Sequence, residues 1–254
     1  MVIYMQRYFI STEYIKGDFA IIEGKDYHHI KDVMRMRVGD KIILLDNMLN
    51  EYLCEITDLT QRVSLNVLNV SLNNNELSSK VTIAQGLVHK NKIEEVVRRL
   101  VELGGNSYIN VIMERCNIKL KSKDDYKLSR LETIVKEASE QSERGKLLEL
   151  GGIKTFKEFI KYSNEFDYKF VCYEETGREN SNSIYKYAND LTNKNILVLV
   201  GPEGGISKTE IDMLKENGFI LIGLGKRILR TETAPLMVMS ILSSLLDYEG
   251  DSNE

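Results

Sequence analysis

The run Asn195-Ile196-Leu197-Val198-Leu199-Val200-Gly201-Pro202-Glu203-Gly204-Gly205 decides the fold. Apolar residues fill 196–200 without interruption and a glycine-rich turn follows at once. That pattern reads as a strand buried on both faces, of the kind found in parallel sheets covered by helices. A second run repeats the design. Residues 219–224 are mainly apolar and open into Leu224-Gly225-Lys226-Arg227-Ile228-Leu229-Arg230-Thr231-Glu232-Thr233-Ala234. Two such loops at the carboxyl ends of adjacent parallel strands make the ligand crevice of an open α/β sheet. Both prolines of the chain, Pro202 and Pro235, fall in or beside these runs, so stiff backbone is concentrated there.

Working outward, Ser207 and Glu210 have capping-box spacing for a helix that Asn217-Gly218 stops. Thr233 caps a final helix with Pro235 in its first turn. Leu236, Met237, Val238, Met239, Ile241, Leu242, Leu245 and Leu246 cover nearly the whole circumference of that helix. Such a helix needs burial on two sides, one against its own sheet and one against a second subunit, which predicts a homodimer. Upstream, strands at 81–88, 108–113 and 168–174 alternate with helices at 92–103, 124–144 and 181–191. Ile93, Val96, Val97, Leu100 and Val101 share one face of the 92–103 helix.

The polar stretch 71–79 marks a boundary. Before it, short strands at 40–46, 51–57 and 62–70 and a helical segment at 26–36 suggest a small barrel of the kind used for RNA contact. The division is therefore a barrel domain at 1–72, a linker at 73–80, an α/β domain at 81–248 and a mobile tail at 249–254. Met1 and Met5 are alternative starts, and 1–4 is an upstream extension if the second is used.

The chain has 254 residues, 43% hydrophobic and 28% charged, with a net charge of -4. This fits a globular protein and gives no overall cationic signal for nucleic acid. Cys54, Cys116 and Cys172 are far apart and form no CxxC pair, which argues for reduced thiols and a cytoplasmic location. His28, His29 and His89 have no carboxylate at ligand spacing, so no metal site is expected. No membrane span or signal peptide is read.

Two familiar glycine-loop readings fail. Lys208-Thr209 follows a glycine cluster but lacks the P-loop spacing, and Ile228 stands where a dinucleotide fingerprint needs its third glycine. Either the loops are tight turns, or they grip a flat heterocycle through main-chain groups. Pattern alone leaves both open.

The two runs together resemble the bacterial 16S rRNA (uracil-N3)-methyltransferase family of the SPOUT superfamily. Further segments match in order: Gln6-Arg7-Tyr8-Phe9, His29 to Arg35 with Gly39-Asp40, the helix from Lys92-Ile93-Glu94 to Glu102-Leu103-Gly104, Glu114-Arg115-Cys116, and Glu140 to Arg144. The resemblance spans almost the whole chain. Met34, Asn47 and Pro235 depart from residues usual in the family.

The resemblance implies a PUA-like N-terminal barrel and a C-terminal α/β domain with a trefoil knot. It also implies S-adenosylmethionine as methyl donor, a dimer, and a uridine of the decoding region as acceptor on the small ribosomal subunit. Mapped onto this sequence, the donor meets main chain at Leu199, Val200, Gly201, Pro202, Gly205, Leu224, Gly225, Ile228, Leu229, Arg230 and Thr233, with Tyr173 and Glu174 closing the pocket. Arg230 is the first candidate for stabilising charge on the uracil oxygens, followed by Arg227 and Arg115. A salt bridge or phosphate contact is the alternative for Arg230. Glu232 either orients Arg230 or takes the proton, and Glu203 is as well suited to architecture as to chemistry. RNA contact is expected from Arg7, Arg35 and Arg37 in the barrel, from Lys92, Arg99 and Arg115 in the basic segment 90–130, which also holds Lys119, Lys121, Lys123 and Lys127, and from Arg144. Methylation of another RNA atom, such as a ribose 2′-oxygen, and a non-catalytic RNA-binding assembly factor are the competing readings.

Overall fold

The computed structural model describes residues 5–118, 128–179 and 181–247. It divides into two compact units. One holds residues up to Glu76 together with Lys136–Leu147, and the other holds Leu77–Val135 with residues from Leu148 onward.

The first unit is a six-stranded sheet made from β1 (Arg7–Phe9), β2 (Ile15–Lys16), β3 (Phe19–Ile22), β4 (Lys41–Leu45), β5 (Asn50–Asp58) and β6 (Val63–Leu72), in the order β1-β4-β5-β6-β3-β2. Only β1 and β4 run parallel. The expected PUA-like barrel takes the form of a curled six-stranded sheet, a half-barrel that ends at β1 and β2. Tyr8, Ile22, Ile30, Ile42, Leu44, Ile56 and Leu65 fill its core. The helical segment is α1 (Gly24–His28), continued by a wide turn at His29–Val33. Asn47 adopts φ +63°, a left-handed conformation that asparagine tolerates better than most residues.

The contiguous domain boundary needs correction, because residues 136–147 belong with the sheet. Lys136 lies 3.0 Å from Asp26 and 2.6 Å from Glu140, whose carboxylate accepts a 2.9 Å bond from the Phe9 amide. Asn73 donates to the Glu143 carbonyl at 2.9 Å, and Arg144 pairs with Glu76. These polar pairings are made between segments up to 131 residues apart, and no local pattern reveals them.

The second unit carries a parallel sheet of β7 (Lys80–Gly86), β8 (Ser107–Ile112), β9 (Glu149–Thr155), β10 (Tyr168–Cys172), β11 (Asn195–Val200) and β12 (Ile220–Ile222), in the order β12-β10-β11-β7-β8-β9. Its helices are α2 (Lys90–Glu102), α3 (Leu128–Gln141), α4 (Phe156–Tyr162), α5 (Glu174–Glu179), α6 (Lys208–Glu216) and α7 (Thr233–Asp247). α3 runs on into the segment that belongs to the first unit. Ser207 and Glu210 form the expected capping box of α6. Residues 124–127, expected to open α3, lie outside the described residues, as do 1–4 and the tail.

Three expectations change. β11 and β12 are not adjacent, because β10 pairs with both. The helix expected at 181–191 is a 3₁₀ stretch, Ile184–Asp190. β9 and α4 escaped sequence reading because Gly151-Gly152 breaks the strand's apolar run, although Thr155 and Glu158 form a legible capping box.

Candidate functional site

The carboxyl ends of β10, β11 and β12 open into a cleft of about 1030 Å³. Three loops line it. Residues 200–206 come from β11, 224–225 and 227–232 lead toward α7, and 172–175 join β10 to α5. Because β10 lies between the strands that feed the two opening loops, its own loop forms the floor between them. Tyr173, Glu174, Val200, Gly201, Pro202, Gly205, Leu224, Gly225, Ile228, Leu229 and Arg230 all line the cleft, with Arg115, Lys92 and Glu232.

Two predicted donor-binding residues do not line it. Leu199 is fully buried in the core with Leu197, Ile109 and Val171, since the strand carries it beneath the sheet's end. Thr233 is the first helical residue of α7 rather than its cap, and its amide bonds to the Arg230 carbonyl at 2.9 Å.

The loops are held by contacts that make them rigid before any ligand arrives. A Cβ on Gly86 would fall 2.4 Å from Pro202 Cδ, so β7 and the turn after β11 pack with backbone against ring. Beneath them runs a buried polar relay. The Tyr108 hydroxyl donates to Gln85 Oε1 at 2.7 Å, with Asn110 Oδ1 3.1 Å away as its second acceptor within reach. The Gln85 amide donates to the Thr231 carbonyl at 2.6 Å, and the Thr231 hydroxyl donates to the Gly201 carbonyl at 2.9 Å. This relay ties one signature loop to the other. Gln85, Tyr108 and Asn110 were not singled out from sequence, although a glutamine and an asparagine inside buried strand runs are a signal, because buried polar groups need partners. Glu210 is a further omission as a site organiser. Besides capping α6, it accepts a 2.8 Å bond from the Glu114 amide and so fixes the segment carrying Arg115.

Charge in the cleft is unevenly paired. Lys92 Nζ lies 3.1 Å from Glu203 Oε1 and 3.2 Å from Glu232 Oε2. Arg230 is only 4.0 Å from Glu232 Oε1, and its side chain is 86% exposed. Burial pushes the Glu232 carboxyl up, but its own backbone bond, Lys92 and Arg230 outweigh that, and the net shift is downward. The hydrogen bond to Glu203 raises the Lys92 ammonium, and the adjacent Glu232 carboxylate adds to the rise. Arg115 reaches the Gly204 carbonyl at 3.5 Å.

The predicted RNA-contacting residues separate into two groups. Arg7 is mostly buried and pairs with Glu51 and Glu143. Arg144 is 3% exposed and pairs with Glu76. Both are structural, because carboxylates already pair their charge, although Arg7 Nε has no hydrogen-bond partner. Lys92 is held in the cleft, and Arg99 pairs with Glu102 at 2.7 Å. Arg35 and Arg37 are exposed, in a loop that also exposes Val33 and Val38. Lys119, Lys121, Lys123 and Lys127 lie outside the described residues.

Comparison with known proteins agrees with this architecture. Residues 75–243 match the model of an RNA methyltransferase domain, and 22–65 match that of an RNA methyltransferase PUA domain. The chain is 36% identical over 246 residues to ribosomal RNA small subunit methyltransferase E of Bacillus subtilis, covering 94% of this chain and 96% of that one. It is 30% identical to the protein of the same name in Synechocystis, over 95% of this chain and 78% of the relative. Among solved structures, a ribosomal RNA small subunit methyltransferase E from Neisseria gonorrhoeae bound to S-adenosyl methionine superposes with a TM-score of 0.83 at 26% identity, covering 96% and 100% of the two chains. A putative methyltransferase from Legionella pneumophila in complex with the same cofactor gives 0.84 at 25% identity, covering 95% and 98%. With a family model matched over most of its length and a full-length relative at 36% identity, this chain belongs to the ribosomal RNA small subunit methyltransferase E family.

Proposed function

We propose that this protein transfers a methyl group from S-adenosylmethionine to N3 of a uridine in small-subunit ribosomal RNA. The observation that carries the reading is an exposed arginine, Arg230, beside a carboxylate in a cleft walled by glycine backbone. The residues suit the donor. Gly205 and Gly225 line the cleft at φ +71° and +102°, and a Cβ built on either would meet no protein atom within 4 Å. Backbone is therefore open to a flat ligand there, while Val200, Ile206 and Leu224 offer apolar contact.

When bound, S-adenosylmethionine supplies a methyl already activated by its sulfonium. The protein's task is then on the acceptor side. As N3 of uracil loses its proton, negative charge spreads to O2 and O4, and a guanidinium that is exposed and loosely tethered is suited to receive it. Glu232 is held below the usual carboxylate range, which makes it a weak base, so the proton passes to solvent while Glu232 tethers Arg230 only loosely, at 4.0 Å. Holding the base against the donor supplies roughly 7–11 kcal/mol of the barrier.

The assembly reading is a dimer through α7. Val238, Met239, Leu242 and Leu246 are buried within the chain, while Leu236, Met237, Ile241 and Leu245 remain partly exposed on its other side. Light scattering at micromolar concentration tests this, and a monomer contradicts it. Nucleoside mass analysis of ribosomal RNA from a strain lacking this gene tests the reaction. Loss of N3-methyluridine that the gene restores supports it, whereas unchanged N3-methyluridine with a missing 2′-O-methyl points to the ribose. A protein that binds no donor at millimolar concentration is an RNA-binding factor instead.

A further inference from the structure

Lys92 belongs to α2, far in sequence from either signature loop, yet its ammonium sits between a carboxylate from each. Glu203 comes from the turn after β11 and Glu232 from the residue before α7. All three side chains are 18–30% exposed, so the node is screened from bulk water without being sealed. Arg230 stands at its edge, 4.0 Å from Glu232 Oε1.

We infer that Lys92 is a positioning residue for methyl transfer: it draws Glu232 away from Arg230 and thereby leaves the guanidinium uncommitted for the nucleobase. The inference rests on the role proposed for Arg230. Glu232 divides its two oxygens between the cations, Oε2 lying 3.2 Å from Lys92 and Oε1 4.0 Å from Arg230, so its closer pairing is with the lysine. Removing the ammonium changes two things together. Glu203 and Glu232, both within 3.2 Å of that one nitrogen, lose the charge that separates them. Like charges then disfavour the ionised pair. Glu232 relieves the repulsion by swinging onto Arg230 or by taking up a proton, and either outcome disturbs the arginine. Donor contacts, made by the glycine loops, are untouched.

The charged groups facing Glu232 are Lys92, Glu203 and Arg230, so pH reads the node directly. Lys92→Met should lower kcat on the order of 10- to 100-fold, as a misplaced reacting group does, while calorimetry shows unchanged donor affinity. Its kcat–pH profile should gain an acid limb lying higher than in the wild type. A raised carboxyl pKa means that activity falls as pH drops through it. Lys92→Arg, which can span both carboxylates, should recover most of the rate. Lys92→Met with Glu203→Gln should move the acid limb back down, because the repelling charge is gone. A merely structural lysine would give no such movement.

Arg230→Ala, measured in parallel, separates the two ideas. An inactive Arg230→Ala with a wild-type kcat and pH profile in Lys92→Met overturns the inference alone. A fully active Arg230→Ala overturns the role of Arg230 and the inference with it. If Lys92→Met does not fold, Lys92→Gln carries the test. A raised acid limb that Glu203→Gln brings back down supports the inference, and a wild-type profile in Lys92→Gln overturns it.

Discussion

Two sets of arginines, one largely buried in the N-terminal unit and one lining the cleft, are used in opposite ways. In the N-terminal unit, Arg7 and Arg144 sit among carboxylates with little exposed surface, and their charge is consumed by folding. In the cleft, Arg230 is 86% exposed and 4.0 Å from its nearest carboxylate, while Arg115 reaches only a carbonyl. Both sets fall in segments that match family motifs, so motif membership does not separate structure from chemistry. What separates them is whether an acidic partner has already taken the charge.

Breaking this contrast gives graded effects. Arg144→Met strands Glu76, which also accepts from the Gly145 and Lys146 amides, and should cost about 3–5 kcal/mol of stability in urea unfolding. A loss under about 1 kcal/mol would place Arg144 with the uncommitted group. Arg230→Ala should do the reverse. Transfer should fall on the order of 10²- to 10³-fold, with unfolding midpoint and donor affinity unchanged. Near-normal turnover would remove Arg230 from the reaction.

Gly86→Ala probes the scaffold beneath the cleft. Its new methyl meets Pro202, whose ring cannot yield, so a loss of about 1–3 kcal/mol is expected together with weaker donor binding. Stability lost without any change in donor binding would show that the turn can shift as a unit. The smallest effect belongs to Arg35→Ala in the exposed loop. If Arg35 contacts one phosphate of single-stranded RNA, the slope of log affinity against log salt should shrink by about 0.7. An unchanged slope would leave the loop without a phosphate contact.

Much of this was legible in the sequence, but unevenly. β11 appears where the uninterrupted 196–200 run placed it, and the α6 cap follows from Ser207 and Glu210, because both are local patterns. The cleft was legible through its glycines. Strand order was not, since nothing in 168–174 states that it inserts between β11 and β12. Nor was the Gln85–Thr231 bond, whose partners are 146 residues apart. Lys92 was legible as a cation in a matching helix, but its paired carboxylates from two later loops were not.

The buried relay under the cleft also has a meaning in time. Gln85 emerges early from a ribosome, and its partner Thr231 emerges almost a hundred and fifty residues later. Until then the Gln85 amide, the Gly201 carbonyl and both walls of the cleft lack the strap that joins them. Contacts of such long range close slowly, because chain entropy must be lost before they form. Donor affinity in this protein is therefore a late event of its synthesis. Nascent chains halted before position 231 should show none, even where every strand but β12 has already paired.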